Sequence, residues 1–210
     1  MRPSFGDGGY LKEVNLWLGK AALGFGYELQ HRRSEDSELN SQSGSYLVIK
    51  DTSDRLMADV ELDLTEVGVG ISQVIPVLGT CCVHNDLWVL IEQPELHLHP
   101  KAQCALADVF IAKIKDAIYV DLQCNWGNVY FLETHSEHLV LRMLRRIRET
   151  ADGKLERAGH LKLVPSELSV FYFEQTALGV HVHSIEVTKD GDFAQKWPEG
   201  FFPERSEELF

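Results

Sequence analysis

An α/β fold with a mostly parallel sheet flanked by helices is the architecture the sequence predicts, and two apolar runs with the segments after them predict it. Leu87-Trp-Val-Leu-Ile91 and Val129-Tyr-Phe-Leu132 are continuous apolar stretches, the pattern of strands covered on both faces. A helical stripe follows each: Ala102, Ala105, Leu106 and Val109 after the first, Val140, Met143, Leu144 and Ile147 after the second. Strand, helix, strand, helix in that order implies right-handed crossovers.

The other elements are placed from the N-terminus onward. Residues 1–8 are Gly-rich and loose, and 9–22 read as a helix with Leu11, Val14, Leu16, Trp17 and Leu18 spread round the wheel. Phe25 to Leu29 and Tyr46 to Ile49 are strand-like, separated by a polar, flexible loop over 32–45. Met57 to Leu62 reads as another short strand. Ile71, Val74, Ile75 and Leu78 share one helical face, and Pro100 opens a helix where proline is best tolerated. Arg142, Arg145, Arg146 and Arg148 fall largely off the apolar stripe of the next helix. After the turn Ala151-Asp-Gly-Lys154, Ser169 to Phe173 and Val180 to Val187 alternate like an antiparallel pair, and the tail is irregular and acidic. The organisation expected is a partial N-terminal lobe over 1–65, a core over 66–150 and a β-extension with tail over 151–210, with no internal repeat.

Composition narrows the function. The 210 residues suit one domain, or one with a small appendage, and 44% hydrophobic content is enough for a core. Lys plus Arg is 20 against 32 Asp plus Glu, a net charge of −12 that repels a phosphate backbone, so nucleic acid is expected only through partners. No apolar run approaches the roughly 20 residues of a membrane helix. The first residues have no apolar core after their charge, so they do not read as a signal peptide, and the expected address is the cytoplasm. Cys81, Cys82, Cys104 and Cys124 form no C-x-x-C pair, and buried free thiols are expected.

Three segments set polar residues beside buried-type elements. Val67-Gly-Val-Gly-Ile-Ser-Gln73 opens a helix, where free N–H groups and the helix dipole can hold an anion; a plain Gly-rich turn fits the same residues. Glu92 ends the first buried-type strand, the edge where α/β proteins bind ligands, and could hold a hydrated Mg²⁺ or be a solvated strand end. Beyond it Glu95, His97 and His99 would share one face of an extended segment, the geometry of a divalent metal site. Phe131-Leu-Glu-Thr-His-Ser-Glu-His138 lies at the end of the second strand; Thr134 or Ser136 can cap the next helix with Glu137 in its first turn, and His135 can donate to a phosphate or be structural.

In order and spacing these segments resemble the C-terminal half of an ATP-binding-cassette ATPase head of the RecF, structural-maintenance-of-chromosomes and OLD type. On that resemblance Gly68, Gly70, Ser72 and Gln73 belong to a degenerate signature loop, Leu87 to Glu92 is Walker B, Leu98-His99-Pro100 occupies the D-loop position, and Thr134-His135-Ser136 is the switch-histidine loop. A group of uncharacterised bacterial predicted ATPases is more similar still, carrying Ile-Glu-Gln-Pro-Glu-x-His-Leu-His-Pro, Glu-Thr-His-Ser-Glu-His and a terminal Trp-Pro-Glu-Gly-Phe-Phe. This chain has all three, the last at Trp197 to Phe202. The match is firm over 66–142 and 197–210 and loose before 66.

The resemblance implies ATP and Mg²⁺ as ligands, with Glu92 on the metal, His135 on the γ-phosphate and Ser72 on nucleotide bound by an opposing protomer, since such heads close as dimers. Two departures qualify it. No G-x-x-x-x-G-K-[ST] is present, and Gly19-Lys20 is followed by Ala21, so a P-loop polypeptide or a missing N-terminal region is expected to complete the site. Gln93 stands where many such ATPases place the catalytic glutamate, and an amide cannot accept the proton of water; Glu95 would substitute, or hydrolysis is slow. The alternatives are an inactive ATPase-like docking module and a metal-dependent hydrolase built on Glu95, His97 and His99 with His135 or His138. Related ATPases serve DNA repair, chromosome handling and phage defence.

Overall fold

In a computed structural model, residues 9–33, 45–52, 60–83, 87–115, 118–120, 123–125, 127–195 and 197 are described. The chain divides into two units, Met1–His135 and Ser136–Phe210.

In the first unit, helix α1 (Gly9–Leu18) stops four residues short of the span the sequence predicts. Gly19 follows, and Gly24 (φ 87°) and Gly26 (φ 74°) turn the chain through left-handed conformations that suit glycine. Strand β1 (Tyr27–Arg33) therefore starts after Gly26, pairs antiparallel with β2 (Ser45–Asp51), and β2 pairs with β3 (Glu61–Leu62). Arg32, Arg33 and Ser45 are strand residues rather than loop, while 34–44 and the Met57–Ala58–Asp59 part of the expected strand lie outside the described residues. Asn15 of α1 binds both backbone groups of Leu29: its Nδ2 donates to the Leu29 carbonyl (2.9 Å) and its Oδ1 accepts the Leu29 N–H (2.7 Å).

Helix α2 (Val69–Val83) follows the stripe of Ile71, Val74, Ile75 and Leu78. Strand β4 (Trp88–Glu92), helix α3 (Pro100–Ile114), the short hairpin β5 (Ile118–Val120) and β6 (Gln123–Asn125), and strand β7 (Val129–Glu133) complete the unit. β4 and β7 are parallel and in register from Trp88 opposite Val129 to Glu92 opposite Glu133. The crossover is α3, whose Ala102, Leu106, Val109 and Phe110 are buried, with Phe110 against Tyr130 at 5.0 Å between ring centres. Lys113 is buried and pairs with Glu13 of α1.

The expectation of a mostly parallel sheet is corrected. Among the described residues, parallel pairing is confined to β4 and β7, and the other pairs are antiparallel. A parallel pair needs a crossover long enough to return to the same edge, and α3 is the connection that supplies one. Nor are β4 and β7 covered on both faces. Val89 is buried, but Trp88 and Leu90 are each 76% exposed and Phe131 is 50% exposed.

The entry to the pair is fixed by Asn128, which is 2% exposed. Its Oδ1 accepts the Leu87 N–H (3.0 Å) and its Nδ2 donates to the Tyr130 hydroxyl (3.1 Å). The Tyr130 hydroxyl and the Cys81 thiol face each other, and burial pushes both up, the thiol to about 11. Cys81, Cys82 and Cys104 are in no disulfide, as expected, but of the three only Cys81 is buried and the other two are half-buried.

In the second unit, Ser136 caps helix α4 (Glu137–Ala151) by accepting the Leu139 N–H at 3.0 Å, and Leu139, Met143, Leu144 and Ile147 are its buried stripe. Off that stripe, Arg148 binds the Asp190 carbonyl (2.9 Å), the Gly191 carbonyl (3.1 Å) and Asp192 (3.0 Å). Gly191 packs so closely on the Leu144 carbonyl that a side chain there has no room. Strands β8 (Val170–Thr176) and β9 (Gly179–Ile185) form the antiparallel hairpin the alternation predicts. Trp197 packs edge-on against Tyr172 at 5.4 Å, and the rest of the expected terminal motif lies outside the described residues.

Replacing Asn128 with Ala removes an acceptor from the Leu87 N–H and a donor from the Tyr130 hydroxyl. It is expected to destabilise the protein by about 1–3 kcal/mol in urea unfolding, with no change in m-value. In α4, burial raises the Glu149 carboxyl, but hydrogen bonds from Arg145 (2.7 Å) and Arg146 (2.6 Å) outweigh it and hold it below the ordinary range. A carboxyl lowered in the folded state stabilises above its unfolded pKa and loses that contribution as pH falls. Glu149→Gln is therefore expected to weaken exchange protection of α4 amides at neutral pH and to flatten its loss on acidification.

Candidate functional site

The parallel ladder sets the geometry of the site. Residues paired across two parallel strands project to the same side, so Trp88, Leu90 and Glu92 lie beside Val129, Phe131 and Glu133. The Trp88 and Phe131 rings are 5.8 Å apart. At the C-terminal edge the same face ends in two exposed carboxylates, Glu92 and Glu133. The ladder continues one residue further, the Gln93 N–H donating to the Glu133 carbonyl at 2.8 Å.

The loop after β4 is tight. Gln93 (φ 45°) and His97 (φ 60°) are both left-handed without being glycine. Such positions cost on the order of 1–3 kcal/mol each and persist only where surroundings impose them. The Leu96 N–H reaches the Gln93 carbonyl (3.1 Å) and the Leu98 N–H the Glu95 carbonyl (3.0 Å). Between the two left-handed residues Glu95 turns inward and is 7% exposed. Its Oε1 accepts the backbone N–H of His135 at 2.8 Å, while Oε2 has no hydrogen-bond partner among the described residues.

These facts correct the Glu95, His97, His99 arrangement. The segment is a turn, so the three side chains do not line one face: Glu95 is buried, His97 and His99 are exposed, and the Nδ1 of His99 accepts the Lys101 N–H at 3.3 Å as the cap of α3. Among the described residues, no group of three His, Cys, Asp or Glu side chains is placed to hold a metal. Glu92 remains as an oxygen donor with Glu133 beside it. Two carboxylates with room for water suit Mg²⁺, which keeps most of its hydration.

At the start of α2, the Gly68 carbonyl accepts the N–H groups of Ile71 (2.9 Å) and Ser72 (3.3 Å), and the Ser72 hydroxyl donates to the Val69 carbonyl (2.9 Å). Those donors are spent inside the turn. Gly70 has a different reason to be glycine: a Cβ there would stand 2.5 Å from the His97 carbonyl oxygen. Around Gly68 a Cβ meets nothing within 4 Å.

A cleft of about 420 Å³ opens at this edge, lined by Gln73 and Val77 of α2, by Ile91, Glu92 and Gln93, and by Glu133. Of the residues singled out in the sequence, it brings together Glu92, Gln93 and Gln73. Gly68, Gly70, Ser72, Glu95 and His135 are not part of its lining. His135 is exposed two residues beyond the end of β7, at the same edge as Glu92. Glu133 is the residue sequence reasoning missed. The clue was present: Leu90-Ile-Glu92 and Phe131-Leu-Glu133 are two apolar strands that end in the same acid.

The elements define an α/β domain whose cleft sits outside the carboxyl ends of parallel strands, the place where such folds bind ligands. The chain belongs to the AAA ATPase domain family, which matches residues 25–140. A family of proteins of unknown function, DUF3696, matches residues 163–210. No curated protein matches the chain. Among solved structures, the fold is similar to an SMC ATPase studied for its ATP-driven dimerization and DNA-stimulated activation, with a TM-score of 0.52 at 9% identity over 85% of this chain and 84% of that one. No described helix is long and apolar enough to cross a membrane.

The two glycines give a test of packing against anion binding. Gly70→Ala is expected to push back the 93–98 loop and cost about 1–3 kcal/mol in thermal or urea unfolding, while Gly68→Ala stays within about 0.5 kcal/mol of wild type.

Proposed function

We propose that this domain supplies one part of a composite ATP-hydrolysing site, and that a P-loop borne on another polypeptide segment completes it. The observation that carries the reading is the open face of the β4–β7 pair. Trp88, Leu90, Val129 and Phe131 are exposed on it, and it ends in Glu92 and Glu133 at the cleft. Parallel strands are ordinarily covered on both sides. A segment laid on this face, with a lysine-bearing loop at the acidic end, would bury the apolar residues and bring phosphate beside the carboxylates. Membership of an ATPase family and the SMC-like fold support nucleotide as the ligand.

On this reading Glu92 holds hydrated Mg²⁺ and His135 meets the γ-phosphate. The metal, when bound, neutralises phosphate charge, and the rest of phosphoryl transfer is positioning. Glu95 is buried, bonded to the His135 N–H and outside the cleft lining, so it does not face water in the cleft. Gln93 has an amide that accepts no proton. Glu133 is the carboxylate exposed to the cleft beside Glu92, and it is our candidate for the group that takes the proton of the attacking water. Ser72 would have to turn its hydroxyl away from the Val69 carbonyl to reach nucleotide on an opposing protomer. The dimer expected of complete heads parallels the ATP-driven dimerization described for the SMC ATPase.

The reading that Gln93 marks an inactive docking module makes the opposite forecast, so one experiment separates the two. Calorimetry of the chain alone with MgATP is expected to show no micromolar binding and no hydrolysis. Mixed with a polypeptide carrying G-x-x-x-x-G-K-[ST], it is expected to turn over, and Glu133→Gln to lower kcat by about 10²–10⁴-fold with nucleotide binding kept. Micromolar binding by the chain alone, or no turnover with a P-loop partner that does bind, defeats the composite site.

A further inference from the structure

We infer that Glu95 is a positioning residue whose buried carboxylate holds the backbone of His135 to the loop after β4, so that the two strand-end segments are held as one body. The inference deepens the ATPase reading for its consequence, the placement of His135, but the tie itself does not depend on nucleotide.

Three features of the loop carry it. Glu95 is 7% exposed, and its Oε1 reaches 40 positions along the chain to the His135 N–H at 2.8 Å. A carboxylate accepting a backbone N–H forms a stronger bond than a neutral acceptor does. Its other oxygen is buried without a partner among the described residues. Leaving that oxygen unpaired is unfavourable, and the bond to His135 is the one return visible for it. The left-handed Gln93 and His97 stand two residues before and two after Glu95, and the turn they make sends that side chain inward while Leu96 and His97 stay exposed.

The same loop is held at two other points. The Gln93 N–H donates to the Glu133 carbonyl, and the His97 carbonyl presses on Gly70 so closely that a methyl group cannot fit. The loop is therefore pinned to α2 on one side and to the segment after β7 on the other. Glu95 supplies a side-chain bond from it to the His135 segment. A residue with these contacts orders His135 without touching a substrate in the cleft, whose lining does not include it.

The test uses the full chain and reads the His135 amide by ¹⁵N NMR and hydrogen exchange. In the wild type that amide proton is expected downfield and protected. Glu95→Ala is expected to speed its exchange by about tenfold to a hundredfold, the range for losing a hydrogen bond to a charged group, while Leu90 and Phe131 in the ladder stay protected. Glu95→Gln keeps an acceptor for the same N–H, so it is expected to restore most of the protection and to move the amide proton upfield as the charge is lost. A merely structural glutamate would change ladder and loop alike and would not single out His135. An unmoved His135 amide proton shift in Glu95→Gln overturns the inference, even where Glu95→Ala fails to fold. Equal loss of protection at His135 and Phe131 in Glu95→Ala also overturns it. The His135 effects without any ATP turnover beside a P-loop partner would sustain the inference and count against the ATPase reading alone.

Discussion

The register of β4 against β7 is the constraint on which the site depends. Five residues of each strand pair in parallel, and a slip of one would turn Glu133 to the covered face and Leu132 to the cleft. Both ends of the ladder are clamped by groups that do not belong to it. At the entry, the buried amide of Asn128 takes the Leu87 N–H. At the exit, the Gln93 N–H reaches the Glu133 carbonyl. With strands about 4.8 Å apart, Glu92 and Glu133 are held as neighbouring like charges. In water that repulsion is on the order of 1 kcal/mol and tolerable. It rises sharply if the face is covered and water leaves, unless a cation enters with the cover.

The start of α2 and the loop after β4 show how a short sequence can serve packing where it resembles an anion cradle. Two of the first-turn N–H groups already have the Gly68 carbonyl, and Gly70 is small because the His97 carbonyl lies against it. The left-handed conformations of Gln93 and His97 are the counterpart. They turn the chain back on itself within five residues, and that brings His97 to Gly70 and Glu95 to His135. Strain in the loop and the absence of a side chain on the helix are thus two halves of one contact.

Much of this was legible in the sequence, and the reasons for the rest are physical. Apolar runs located β4 and β7, because four or five consecutive apolar residues have few other places to go, and helical stripes located α2, α3 and α4. Covered faces were misjudged for the same reason: the run reports what the strand requires, not what this chain provides, and Trp88, Leu90 and Phe131 stand exposed. The Glu95, His97, His99 spacing misled because it presumes an extended backbone. Left-handed Gln93 and His97 are invisible in residue types that seldom adopt that conformation. Glu133 was passed over because a carboxylate at a strand end is common, and only the register places it beside Glu92.

That register also bears on where the chemistry of hydrolysis can reside. At Gln93 the side chain offers an amide, but its backbone N–H is bonded to Glu133, the residue across the ladder. On the proposed reading, the position after the metal-binding acid has kept a structural task and ceded proton transfer to the neighbouring strand. The exchange is geometrically cheap, since paired residues of parallel strands share a face and Glu133 opens to the same cleft as Glu92. It also has a cost. A base that lies beside the metal-binding acid is useful only once a cation has quieted the repulsion between them, so proton transfer becomes contingent on the metal being bound. Glu95 cannot relieve that dependence, because its carboxylate is buried outside the cleft lining, with one oxygen bonded to the His135 backbone.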